Sequence, residues 1–199
     1  MHAVPIAGPG MRIGLFGGSF NPPHEGHRLV ALECLKRLRL DSIWVMVSPG
    51  NPLKDHAVLA PLEERAAATV KLMDDPRLTV TTFEAQHGFA YSFETVRYLT
   101  ATRPDARFVW IMGADSLATF HLWERWEEIA QLVPLAVYAR PGVGLRATRS
   151  PAATALAASR LPETLSPALA ETAPPAWVYL HGVMSAASSS AIRARASSS

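Results

Sequence analysis

The residues best suited to chemistry lie in one short stretch, Gly17-Gly18-Ser19-Phe20-Asn21-Pro22-Pro23-His24-Glu25-Gly26-His27. Paired glycines let a backbone approach a ligand that any Cβ would hold off. The two prolines disfavour helix until the chain reaches His24. His24 and His27 are three apart, so they share one face of the first turn of the helix that follows. Unpaired N–H groups and the positive end of a helix dipole converge there, a natural seat for phosphate. Two imidazoles at such a seat can donate to phosphoryl oxygens as negative charge builds up. Gly26 between them leaves room for a flat base against the backbone. The stretch is not a Walker A loop, because no Gly-Lys-Ser/Thr follows, and it does not fit the Gly-x-Gly-x-x-Gly dinucleotide fingerprint.

A second candidate lies near the C-terminus. Ser188-Ser189-Ser190-Ala191-Ile192-Arg193 reads as a helix start with stacked hydroxyl and N–H donors and a guanidinium one turn in, which suits a polyanion. Alone it would be a polar tail; beside the histidine turn it reads as a second phosphate clamp. Lys54 stands in a proline-rigid loop after an apolar run, a place that favours function over mere solvation. Asp115 follows another apolar run and suits ribose hydroxyls or a helix N-cap. Trp123 is a platform for a flat ring or a core residue, whereas Trp126, Phe120 and Leu117 read as core. Cys34, among Leu32, Leu35 and Leu38, reads as a small buried residue rather than a nucleophile.

These groups need elements to position them. Apolar or β-branched runs at 13–16, 43–47, 78–82, 108–112, 135–138 and 177–180 are strand candidates. Between them, helical patterns cover 28–38, 61–73 with Pro61 at the first position, and 92–100 with Ser92 as N-cap. Residues 83–91 read as a loop, and 116–132 as helix broken near the tryptophans. The alanine-rich 143–175 region shows no clear period and is expected to hold a short helix or two with irregular links. Strands alternating with helices imply an α/β fold, a doubly wound parallel sheet with helices on both faces. Ligands in such sheets sit beyond the carboxyl ends of the strands, where the histidine turn, Lys54, Ser92, Asp115 and Arg140 all fall.

Composition narrows the function classes. A chain of 199 residues suits one domain, read here as 11–195, with a flexible lead-in at 1–10 and a flexible tail at 196–199. Hydrophobic residues make up 49%, which excludes a disordered chain. The net charge of +2 is too small to argue for a nucleic-acid surface. No apolar run approaches the roughly 20 residues that span a bilayer, and residues 1–10 lack the features of a signal peptide. A single cysteine excludes an internal disulfide and suits a reducing cytoplasm.

The histidine stretch resembles the signature of the nucleotidyltransferase superfamily related to class I aminoacyl-tRNA synthetases. The Ser188–Arg193 element resembles the Ile-Ser-Ser-Thr-x-Ile-Arg element of its nicotinate-nucleotide adenylyltransferases, with Ala187 and Ser190 in place of the isoleucine and threonine. Residues 48–56, 91–95, 113–117, 120–123 and 139–142 are similar to blocks of the bacterial members, in the same order. Ser92 and Glu94 stand where that family usually has threonine and aspartate. Residues 1–10 and 145–175 match poorly.

The resemblance implies a Rossmann-like fold and adenylyl transfer from ATP to nicotinate mononucleotide, giving deamido-NAD and pyrophosphate. It implies catalytic roles for His24, His27, Lys54 and Arg193. ATP would meet Gly17, Gly18, Ser19, Phe20, Gly26, Gly113, Asp115, Ser188 and Ser189. The acceptor would meet Tyr91, Ser92, Trp123 and Arg140. Mg²⁺ would come with the triphosphate and no protein metal site is implied. No nucleic-acid or membrane partner is implied, and a homo-oligomer is compatible with the sequence. Two rivals remain: phosphopantetheine adenylyltransferase, which typically has a shorter chain and threonine at the position of His24, and a non-catalytic nucleotide-binding protein. The latter would not require both histidines, Lys54 and Arg193 together.

Overall fold

The computed structural model describes residues 4–50, 59–139 and 141–182. Its strands are β1 (Arg12–Gly18), β2 (Ser42–Val47), β3 (Leu78–Thr81), β4 (Arg107–Gly113), β5 (Leu135–Tyr138), β6 (Arg160–Leu161) and β7 (Trp177–Leu180). All pair in parallel, in the order β3-β2-β1-β4-β5-β7-β6. The helices are α1 (Glu25–Arg37), α2 (Leu62–Leu72), α3 (Phe83–His87), α4 (Ser92–Thr102), α5 (Ala114–Thr119), α6 (Trp126–Leu132), α7 (Gly144–Thr148) and α8 (Pro151–Ala155). This is the α/β, Rossmann-like doubly wound sheet expected from the alternation of runs.

The strands are continuous apolar runs because both faces of the sheet are covered. Successive residues alternate between two cores. Ile13, Leu15, Trp44, Met46, Phe108, Trp110 and Met112 face one side, packed with Phe93, Val96 and Leu99 of α4 and Leu117 of α5. Ile43, Val45, Val47, Val109, Ile111 and Val178 face the other, with Val30, Cys34 and Leu35 of α1. Cys34 is fully buried, and burial pushes its thiol up to about 12, so it stays an unreactive thiol.

Several elements depart from the sequence reading. Pro61 is the N-cap of α2 rather than its first residue. The expected loop before Tyr91 contains α3, five residues ended by Gly88 in the left-handed region at φ 66°. The 116–132 segment is broken as expected, by a 3-10 turn at Phe120–Leu122 and by Arg125 at φ 52°. The alanine-rich region forms α7 and α8 and a 3-10 run, Glu163–Glu171, and adds the short edge strand β6. Arg37 of α1 pairs with Glu163 and donates to the His181 carbonyl, while the His181 N–H donates to Glu163 at 2.8 Å. Burial alone would raise Glu163, but the His181 ring at 2.7 Å from its Oε2, then Arg37 and the His181 N–H, outweigh it and pull the carboxyl down to about 2.

Gly14 shows how tightly the sheet is packed beside α1. A Cβ there would lie 2.6 Å from Ile111 Cδ1, 2.9 Å from Ile43 Cγ1 and 2.9 Å from Leu40 Cδ1. Gly14→Ala is therefore expected to destabilise the protein by about 1–3 kcal/mol through overpacking. Chemical unfolding checks this, and a wild-type midpoint would show that the neighbours yield freely.

Candidate active site

Strand β1 pairs with β2 on one side and β4 on the other. The chain runs outward from β1 to β3 and then returns to β4, so the sheet's topological switch lies between β1 and β4. Crevices at such points hold ligands in open α/β sheets. The carboxyl end of β1 carries Gly17 and Gly18, and that of β4 carries Gly113.

The turn after β1 is shaped by close contacts. A Cβ on Gly17 would sit 3.3 Å from the Trp110 indole, and one on Gly18 3.1 Å from the Phe20 ring. Phe20 itself is buried with a left-handed φ of 45°, a strained conformation for a bulky residue. Its ring holds His27 at 4.9 Å, and His24 stacks on the other imidazole at 3.8 Å with an interplanar angle of 27°. His24 is the N-cap of α1 and His27 its third residue. The His24 backbone N–H donates to His27 Nδ1 at 3.2 Å. That bond places the ring proton of His27 on Nε2, leaving a donor aligned by packing on both sides.

Beneath this turn lies Arg65 of α2, only 3% exposed. Its Nε donates to the Ala60 carbonyl at 2.8 Å, and one terminal nitrogen to those of Ser19 at 2.6 Å and Ser48 at 2.9 Å. No carboxylate pairs with it among the described residues, and burial lowers its pKa from the usual value. It remains a cation at neutral pH. Asn21 adds a second tie, accepting the Ala60 N–H at 3.2 Å. The loop after β1, the loop after β2 and the start of α2 are thus fastened at one buried point.

A cavity of ≈ 410 Å³ opens above these loops. Gly17, Gly18 and Ser19 line one side, Tyr91, Ser92 and Trp123 the other. Ser92 is the first residue of α4 and not its N-cap; Tyr91 holds that place. Glu94 does the capping, because its carboxylate Oε2 accepts the N–H groups of both Ala90 and Tyr91, at 2.8 and 2.9 Å. A carboxylate at the third helical position satisfies two donors that a serine hydroxyl could not. Trp123 is half-buried, edge-on to Trp110 and Phe120.

The sequence-derived site is thus partly assembled here. The structure brings Gly17, Gly18, Ser19, Tyr91, Ser92 and Trp123 around one cavity, while His24 and His27, at the start of α1, follow the same turn but do not line the cavity. Asp115 is exposed, at the second position of α5 with Gly113 as the N-cap, and neither residue lines the cavity. Phe20 packs beneath the turn, and Gly26 is buried in the first turn of α1. Lys54, Arg140, Ser188, Ser189 and Arg193 lie outside the described residues. Sequence reasoning missed Arg65, Glu84 and Trp110, and it singled out the stretch holding Asn21 without the tie that Asn21 makes to Ala60. Glu84 and Trp110 line the cavity, and Trp110 carries a buried Nε1–H with no acceptor among the described residues. Arg65 follows Glu63 and Glu64 and looks like any cation on a charged helix face, so no local signal distinguishes it.

A family model described as cytidylyltransferase-like matches residues 15–195. A protein of Methylorubrum extorquens named "Probable nicotinate-nucleotide adenylyltransferase" is 55% identical over 93% of this chain and 100% of its own length. One of the same name from Brucella abortus is 50% identical over 92% of this chain and 94% of its own. The chain belongs to the cytidylyltransferase-like family and, within it, to the nicotinate-nucleotide adenylyltransferases. Its fold is that of the Plasmodium falciparum nicotinic acid mononucleotide adenylyltransferase complexed with NaAD, with a TM-score of 0.68 at 15% identity, over 92% of this chain and 83% of that one. No helix among the described residues is long and apolar enough to cross a membrane.

Proposed function

We propose that the chain transfers the adenylyl group of ATP to nicotinate mononucleotide, giving deamido-NAD (nicotinate adenine dinucleotide) and pyrophosphate in NAD biosynthesis. An oxygen of the acceptor's 5′-phosphate attacks Pα of ATP. The new Pα–O bond forms as the bond from Pα to the oxygen bridging Pβ breaks, and the electron pair leaves with pyrophosphate. The nucleophile is already an anion, so no strong base or covalent intermediate is needed. Catalysis then consists of holding the groups in line and neutralising charge in the transition state.

In this reading the backbone of Gly17, Gly18 and Ser19 receives the triphosphate beside α1. His24 and the Nε2–H of His27 donate to the reacting phosphoryl oxygens. Lys54, Ser188, Ser189 and Arg193 supply further donors and cations to the triphosphate, and Gly113 and Asp115 serve the ATP ribose. Mg²⁺ arrives as part of the nucleotide substrate. Trp123 offers its face to the pyridine ring, and Tyr91 and Arg140 serve as further acceptor contacts. The Ser92 hydroxyl and N–H, which have no acceptor among the described residues, meet the nicotinate carboxylate.

The observation that carries the reading is the single cavity joining the glycine turn to Ser92 and Trp123, because adenylyl transfer needs donor and acceptor in one space. The test is pyrophosphate release from Mg²⁺-ATP with nicotinate mononucleotide, nicotinamide mononucleotide and phosphopantetheine. Nicotinate mononucleotide is expected to exceed the amide in kcat/KM by at least about two orders of magnitude, roughly 2.7 kcal/mol, near neutral pH. Equal efficiencies would remove the carboxylate site from α4 while leaving the transferase reading in place. Turnover with phosphopantetheine alone would replace the acceptor.

A further inference from the structure

Glu84 of α3 lies in the cavity wall and is only 7% exposed. Its Oε1 accepts the Thr95 hydroxyl at 2.6 Å, which ties α3 to the first turns of α4. Oε2 meets no donor among the described residues. No arginine, lysine or histidine stands among the described residues of this cavity wall, and the other acid there is Glu124. Ionising Glu84 would therefore put a buried charge, without a cation among the described residues to pair with it, into the wall that also carries Ser92, where an acceptor's own carboxylate is to sit.

Among the described residues the charged groups nearby are engaged elsewhere. Strands β2 and β3, which lead into this region, carry no charged residue. On its own helix, His87 keeps Nδ1 2.9 Å from the Phe83 carbonyl and its ring against Phe89 and Tyr98. On α4, the Glu94 carboxylate is engaged by Ala90 and Tyr91, and Arg97 lies over the Phe93 ring. Before α6, Arg125 stacks on Phe93 at 4.0 Å and pairs with Glu128.

We propose that Glu84 sets the acceptor preference through its own charge, standing as a neutral carboxylic acid when a carboxylate-bearing acceptor binds and turning that acceptor away when ionised. The inference rests on the adenylyl-transfer reading given above. Burial pushes the carboxyl up to about 7, against the opposing pull of the Thr95 hydrogen bond. Glu84 is thus protonated below that value and ionised above it. The two pyridine nucleotides share ring, ribose and phosphate and differ only in carboxylate against carboxamide. The ratio of their efficiencies therefore cancels the titration of every group both acceptors feel.

The experiment measures kcat/KM by pyrophosphate release for both acceptors from about pH 6 to about pH 8.5, where full ionisation of one such group changes the carboxylate acceptor's efficiency by at least about fivefold. In the wild type the ratio of nicotinate to nicotinamide mononucleotide should fall by that factor as pH rises. Glu84→Gln keeps an oxygen for Thr95 but cannot ionise, so its ratio should stay level whatever its absolute rate. A level ratio in the wild type, or an undiminished fall in the variant, would overturn the proposal. Calorimetry on the wild type complete with α,β-methylene-ATP needs no variant. At about pH 7.5, where a fivefold effect is best seen, nicotinate mononucleotide should take up at least roughly a third of a proton on binding and the amide almost none. Equal uptake would also overturn the proposal. Absence of pyrophosphate with both acceptors would instead remove the reading on which it stands.

Discussion

Replacing His27 by alanine is expected to lower kcat by about two to three orders of magnitude, a barrier increase of roughly 2.7–4 kcal/mol, while ATP binding weakens far less. The reason is orientation. With Nδ1 taking the His24 N–H and the ring held between Phe20 and His24, the Nε2–H is aimed before substrate arrives. Such a donor acts most strongly where charge develops, so its loss appears in turnover rather than in ground-state affinity. His24→Ala should cost a similar amount, for it removes the stacking partner as well as its own ring. Single-turnover rates with saturating Mg²⁺-ATP make the measurement, with a melting curve to show that each variant remains folded. Near-normal turnover in either variant would sink the assignment of the histidine turn.

The second large effect belongs to Arg65. Arg65→Met preserves a long, buried side chain but strands the carbonyls of Ser19, Ser48 and Ala60, which the guanidinium now satisfies. A buried acceptor left without a donor costs about 1–3 kcal/mol, so the variant should lose about 3–5 kcal/mol of stability. Because Ser19 and Ser48 both line the cavity, whatever remains folded should bind both nucleotides more weakly. Arg65→Lys should recover only part of the loss, since an ammonium cannot reproduce the planar fork that reaches three segments at once. Urea unfolding together with KM for each substrate tests this. Wild-type stability in the methionine variant would mean that the loops hold themselves.

How much of this was legible beforehand follows from how local each signal is. The strands at Leu135–Tyr138 and Trp177–Leu180 coincide with the expected runs, because a parallel strand buried on both faces must be apolar throughout. The histidine turn was legible for a similar reason. Its glycines, prolines and imidazoles act on neighbours within a few residues, and their spacing survives in any fold that places a helix after a strand.

Other features needed contacts from elsewhere in the chain. Helix α4 starts at Ser92 as expected, but its N-cap is Tyr91 and not Ser92, because Glu94 reaches back to take the cap's N–H, a competition settled by side-chain geometry. Helix α3 is too short to show a period, and β6 exists only because β7 lies beside it. Arg65 and Glu84 carry the same residue types as dozens of solvated positions in any protein. Tertiary packing alone removes them from water, and with it comes their influence on the site, since a charge matters most where no solvent screens it. The sequence by itself determined the alternation of the six longer strands with the main helices and the chemistry of the phosphate turn. The tertiary structure decided which charged groups are buried around it, because burial is a property of distant neighbours and not of the residue.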